Sequence, residues 1–121
     1  MIETISGLPG NVVGISASAY VSASDYEAVL VPAVESRLRQ FDKLRLLYRI
    51  GPEFKGFTAA AMWDDLKLGV AHWKAWEKIA IVTDVDWIAN LGRFFSFAMP
   101  CPVRVFPVSA YAQATDWLTS G

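Results

Sequence analysis

The stretch Lys78-Ile79-Ala80-Ile81-Val82-Thr83 decides the fold. Four successive apolar residues at its centre place hydrophobic side chains on both faces of an extended chain. That is how a central strand covered on both sides reads, and such strands belong to layered α/β proteins. Asp84 or Asp86 follows as the cap of a helix that runs to about residue 98, where Pro100 and Pro102 stop it.

Outward from this strand, short β-rich runs alternate with longer runs of helical period. Toward the C terminus, residues 103–106 read as a strand and 109–118 as a helix with Tyr111, Ala114, Trp117 and Leu118 inward. Toward the N terminus, Ala59, Met62, Trp63, Leu66, Val70 and Trp73 mark the second helix, with a strand at 44–50 and a loop at 51–56 before it. The first helix opens on Ser24-Asp25-Tyr26-Glu27, a capping-box pattern, and buries Tyr26, Val29, Leu30, Ala33, Val34, Leu38 and Phe41; Pro32 predicts a kink. Residues 2–5 and 12–19 form an N-terminal hairpin around Gly7-Leu8-Pro9-Gly10-Asn11, with Val13, Ile15, Ala17 and Ala19 on one face. The order is ββαβαβαβα: one α/β domain over residues 1–121, with a five-stranded, mainly parallel sheet, an N-terminal β-hairpin and four helices.

Composition narrows the function classes. The chain has 121 residues, 54% hydrophobic and 19% charged, with a formal net charge of −1. This apolar excess excludes disorder, and the near-neutral balance argues against nucleic acid as a partner. No apolar run reaches the ~20 residues of a membrane-spanning helix, which leaves peripheral membrane contact open, and no signal peptide opens the chain. The single Cys101 excludes an internal disulfide and any multi-cysteine zinc site. The expectation is a cytoplasmic protein.

Several stretches in order resemble the SpoIIAA-like family, small bacterial α/β proteins related in fold to STAS domains and compared with CRAL-TRIO lipid-binding domains. They are Ser24-Asp25-Tyr26-Glu27 through Val31-Pro32, Leu46-Leu47-Tyr48 with Gly51-Pro52-Glu53-Phe54-Lys55-Gly56-Phe57, Asp64-Asp65 through Gly69 to His72, and Trp76 through Asp84. Pro102-Val103-Arg104-Val105-Phe106-Pro107 and Trp117-Leu118 complete the set. The resemblance implies a STAS-like fold more than an activity. STAS relatives include anti-sigma-factor antagonists switched by phosphorylation of a Ser in an Asp-Ser motif where the third strand meets the second helix. Here the third strand ends Arg49-Ile50-Gly51-Pro52-Glu53 with no Asp-Ser pair, and the nearest hydroxyl is Thr58.

Two stretches are the candidate sites. Gly51, Glu53, Phe54, Lys55, Gly56 and Thr58 form a candidate binding loop beyond a strand's carboxyl end, where open α/β sheets receive ligands. The alternative is a structural turn with Thr58 as helix cap, since neither a P-loop nor a GxGxxG is present. In the third helix, Ile88, Leu91, Phe95 and Ala98 make one buried stripe. Trp87, Phe94 and Phe97 occupy another arc beside Asn90 and Arg93, so Trp87, Arg93, Phe94 and Phe97 form a candidate apolar interaction surface. That arc is covered by neighbouring elements, or it serves a homodimer, an apolar ligand or a membrane.

Other constellations read as structural. Asp64, Asp65 and His72 lie on the second helix, and the lone His lacks companions for a metal. Glu53, Asp84 and Asp86 each follow a strand and are candidates to converge at the sheet's carboxyl edge, with an N-cap the simpler role for either Asp. Arg45 and Arg49 share one face of the third strand; burying them unpaired is costly, so part of that face is expected to be wet or salt-bridged, with pairing to Glu or Asp the simpler role for Arg49 and a ligand anion the alternative. No nucleophile–base pair surrounds Cys101, and no cofactor is implied. The sequence therefore points to a non-catalytic regulatory or protein-interaction module, dimeric and with a regulatory protein as a further partner. The alternative is a carrier or sensor of an apolar, lipid-like small molecule held between the third helix and the sheet.

Overall fold

A computed structural model describes residues 1–58, 60, 73–96 and 101–120. One five-stranded sheet runs in the order β1 (Ile2–Thr4), β2 (Val12–Val21), β3 (Leu44–Phe57), β4 (Trp76–Thr83), β5 (Val103–Phe106). β1 pairs antiparallel with β2 as a hairpin, and the three remaining pairings are parallel. The expected second helix, with Asp64, Asp65 and His72, lies outside the described residues.

Alternation along β3 separates two cores. Leu44, Leu46, Tyr48 and Ile50 face one side, where Val13, Ile15 and Ala17 of β2 and Ile79 of β4 meet Tyr26, Leu30, Val34 and Ile88. Leu47 faces the other side with Val12, Ala80, Val82 and Phe106, beneath Ala114 and Leu118. The first side is covered by α1 (Ala23–Asp25), a π turn (Tyr26–Leu30), α2 (Val31–Leu38) and α3 (Asp86–Ser96); the second is covered by α4 (Tyr111–Thr119). The hydroxyls of Tyr26 and Tyr48 hydrogen-bond at 2.8 Å inside the first core. Face two is tight at Gly14, where a Cβ would sit 3.1 Å from Ile5 Cβ and against Leu8.

Local details depart from the sequence reading for identifiable reasons. The capping box is built by Ser22 and Asp25 rather than by Ser24 and Glu27. The Asp25 carboxylate accepts from the Ser22 N–H at 2.8 Å, and the Ser22 hydroxyl accepts from the Asp25 N–H at 3.4 Å. The expected kink at Pro32 takes the form of the π turn, in which the Val31 N–H reaches back five residues to the Tyr26 carbonyl. Proline brings no N–H and crowds the carbonyl four residues back, and one widened turn relieves both. Ala19 leaves the core face because its φ of +51 belongs to an irregularity in β2, and Phe41 is exposed beyond the helix.

The arginines of β3 are satisfied as their burial demands. Arg45, 8% exposed, donates from Nε to Glu77 at 2.6 Å and from Nη1 to the carbonyls of Leu118 at 2.6 Å and Ser120 at 2.8 Å. Its register partner Lys78 donates to the carbonyls of Trp117 at 3.0 Å and Ser120 at 2.9 Å. Both cations therefore cap the C-terminal end of α4, where free carbonyls carry the negative end of the helix dipole. Arg49 meets Ser16 Oγ at 3.4 Å rather than an acid.

Arg45→Ala strands these acceptors and is expected to lower stability by about 2–4 kcal/mol in urea unfolding. Glu77→Gln, at the half-exposed end of the pair, is expected to cost about 1 kcal/mol or less. Hydrogen bonds from the Ser22 backbone, the largest influence, hold the Asp25 carboxyl below its ordinary range. The unfolded chain then binds a proton more readily than the folded one. This contribution is complete above the ordinary Asp value of about 3.9 and is lost as pH falls through the lowered one. Asp25→Asn is expected to flatten that part of the acid limb in unfolding measured from about pH 2 to 5.

Candidate functional site

The candidate loop at 51–56 is an extension of β3. Beyond Ile50, β3 pairs with β2 alone among the described strands, through Ala19↔Phe54, Tyr20↔Gly56 and Val21↔Phe57. From Ile50 to Phe57 it advances seven residues while β2 advances four, from Ala17 to Val21. Two of the three surplus residues are extruded among Gly51, Pro52 and Glu53, and the third is Lys55. A proline tolerates this position because an extruded residue owes the ladder no N–H. Gly56, at φ +154, occupies backbone geometry that side chains resist. Turn residues thus read as a loop what the structure builds as a bulged ribbon.

The ribbon gathers aromatic side chains. Phe54 and Phe57 lie 4.8 Å apart between ring centroids, and Trp87 of α3 sits 6.2 Å from Phe54 and 6.3 Å from Phe57, edge-on to the latter. Phe54 is buried and Phe57 half-buried, while Trp87 is 49% exposed. Tyr20, 64% exposed, lies against Gly56 on the side of the ribbon opposite the buried Val21. Pro52, Glu53 and Lys55 are exposed around this group. Glu53 and Arg49 side chains converge over Gly51, where a Cβ would lie 2.7 Å from Glu53 Oε2 and 3.1 Å from Arg49 Nη1.

The two candidate stretches therefore meet at Trp87. Phe54 of the first and Trp87 of the second touch, a contact that sequence spacing does not reveal because a bulge and a crossover intervene. Phe97 and the side chain of Phe94 lie outside the described residues. Arg93 is exposed on α3, with Nη1 donating to Asn90 Oδ1 at 3.2 Å. Thr58 extends the ribbon, its N–H donating to the Val21 carbonyl at 2.9 Å.

The acids divide. Asp84 and Asp86 line one cleft, and Glu53 is not among its lining residues. Neither Asp is the N-cap of α3: the first helical acceptor there is the Val85 carbonyl, bonded by the Ala89 N–H at 3.0 Å. Asp84 instead accepts the Val108 N–H at 3.0 Å, capping the 3₁₀ turn Val108–Ala110 that leads into α4, and Asp86 stands in the first turn of α3. Among the described residues no group of three or more His, Cys, Asp or Glu could hold a metal ion. Burial pushes the Cys101 thiol up, which disfavours the reactive thiolate. Among the described residues no helix is long and apolar enough to cross a membrane.

A family model described as SpoIIAA-like matches residues 12–119. Among solved structures, an uncharacterized protein of the DUF3478 family from Shewanella loihica PV-4, with a SpoIIAA-like fold, aligns at a TM-score of 0.74. The two chains share 26% sequence identity over 97% of this chain and 93% of the other. Comparison with curated proteins gives no match.

Exposure sets the energetics of the aromatic group. Phe54→Ala is expected to cost about 3–5 kcal/mol, as for a ring removed from a core. Trp87→Ala, which loses only part of a side chain from contact, is expected to cost about 1–2 kcal/mol. Chemical denaturation of the two variants checks this order, and equal losses would place Trp87 in the core.

Proposed function

The chain belongs to the SpoIIAA-like family, and from that premise we propose that it is a non-catalytic, cytoplasmic regulatory module that acts by self-association. Its contact surface is the end of the β2–β3 ribbon with Trp87. The observation that carries this reading is an indole 49% exposed yet held against two phenylalanine rings. A surface aromatic fixed in this way has little side-chain freedom left to lose when a partner covers it. Tryptophan is also the residue type most enriched where binding energy concentrates.

The flanking charges point to the partner. Glu53 and Lys55 are exposed, opposite in sign, and stand on either side of Phe54. A two-fold axis through Phe54 lays two copies of this segment antiparallel and sets each Glu53 opposite the partner's Lys55. Such self-complementarity is what an isologous dimer needs. The carrier reading places an apolar ligand between α3 and the sheet, and the packing at Gly92 opposes it. A Cβ there would lie 2.8 Å from Ile81 Cδ1 and 3.1 Å from Val105 Cγ2, so helix backbone and strands already touch.

Sedimentation equilibrium over about 10–500 µM tests the proposal. The wild-type chain is expected to dimerise, and Trp87→Glu to weaken association by about 100-fold or more. Lys55→Glu is expected to weaken it about tenfold, with the exchange Glu53→Lys plus Lys55→Glu restoring most of the loss. A monomer throughout that range, or a dimer indifferent to both Trp87→Glu and the exchange, overturns the proposal.

A further inference from the structure

Between the carboxyl ends of β4 and β5 and the adjoining flank of α3 lies a cleft of about 400 Å³. Its floor is Thr83, Ala89 and Phe106, each less than a tenth exposed. Its exposed rim is Asp84, Asp86, Asn90 and Arg93. The position is the one open α/β sheets use for ligands, and the volume falls in the range of small-molecule sites. From the charged and polar groups that line it, we propose that the cleft binds a zwitterion the size of a dipeptide, with a free ammonium at one end and a free carboxylate at the other. This goes beyond self-association and does not depend on it.

The charges select the ligand. Asp84 uses Oδ1 on the Val108 N–H and keeps Oδ2. Asp86 has neither ion pair nor hydrogen bond among the described residues, and Arg93 meets Asn90 Oδ1 but no carboxylate there. Two carboxylates at the start of α3 oppose the positive end of the helix dipole, so a phosphate or carboxylate is disfavoured at that end and a cation favoured. Arg93, two turns further along, offers a planar donor pair suited to a carboxylate.

Asp86, Asn90 and Arg93 recur at i, i+4 and i+7, so they share one strip of helix spanning about 10 Å. Arg93 shortens that span by folding back to Asn90. An extended dipeptide separates its charged ends by roughly 5–7 Å, which is shorter than that strip. The Asn90 amide then stands beside the peptide bond. Thr83, 3% exposed, accepts the Val85 N–H at 3.0 Å while its own hydroxyl proton has no acceptor among the described residues. A buried donor at the floor suits a peptide carbonyl.

The test is a titration of the ¹⁵N-labelled protein with alanyl-alanine to about 20 mM, followed by amide shifts. Saturable shifts are expected at Asp84, Asp86, Asn90, Arg93 and Val108, with a Kd of about 0.1–1 mM. N-acetyl-alanyl-alanine and alanyl-alanine amide are each expected to bind about tenfold more weakly. The exposed-site variants then separate the two ends: Asp86→Asn lowers discrimination against the acetylated peptide only, and Arg93→Gln abolishes discrimination against the amide only. Both variants are expected to keep the wild-type far-UV spectrum. The absence of saturable shifts, equal binding of the blocked peptides, or shifts confined to Phe54, Phe57 and Trp87 overturns the proposal.

Discussion

Two cations reaching across the sheet to the end of one short helix hold its second face together. α4 has nine residues, too few for a stable helix alone, yet its Ala114 and Leu118 are fully buried over Leu47, Ala80 and Val82. Arg45 and Lys78, neighbours in the β3–β4 register, take up the carbonyls at its C-terminal end. A buried guanidinium is tolerated because Glu77 and two carbonyls meet it in different directions, a task that suits a planar fork better than a single ammonium. Trp117 closes the arrangement, with Lys78 5.1 Å and Arg104 5.3 Å from its ring centroid. Because Asp84 caps the turn that enters α4, the same clamp also steadies one wall of the cleft.

α3 distributes the remaining tasks by angle. At 100° per residue, Asp86, Asn90 and Arg93 fall within about 60° of one another, and Trp87 lies next to that strip. Ile88 and Gly92 point to the far side, against the sheet. Glycine at 92 lets the helix backbone approach Ile81 and Val105 closely, so α3 is a firm bar with one flank toward the cleft and another toward the ribbon. Occupation of one flank is mechanically adjacent to the other, and a shift of α3 by one ligand would be felt at Trp87.

What the sequence made legible follows from what is local. The doubly apolar run at 79–82, the 3.6-residue period at Tyr26, Leu30 and Val34, and the inward pair Ala114 and Leu118 are patterns within single elements, and the structure repeats them. Pro32 announced a disturbance, though its resolution as a π turn depends on neighbouring packing. The ribbon was hidden because Gly51, Pro52 and Gly56 carry the residue types of a loop, whereas pairing with β2 across a bulge is a long-range fact. The contact of Trp87 with Phe54 and the service of Asp84 to Val108 were hidden for the same reason. Each joins residues more than twenty apart, and no periodicity records that.

The edges of the sheet bear on which contacts the protein can make. A strand edge offers unpaired N–H and C=O groups to any other chain, and this sheet blunts each of its edges. β1 has three residues, and β5 has four, with Arg104 exposed and a proline before and after it. The ribbon beyond Ile50 is interrupted by two register shifts, with the extra residues in β3, and carries Pro52, Glu53 and Lys55 at its surface. An edge interrupted in this way does not template a continuous ladder, so association there must rest on side chains. Side-chain association is selective where ladder addition is not, because it requires rings and charges to match in position and sign. The irregularities that obscured the ribbon in the sequence are therefore the features that close it to ladder addition by an extended chain.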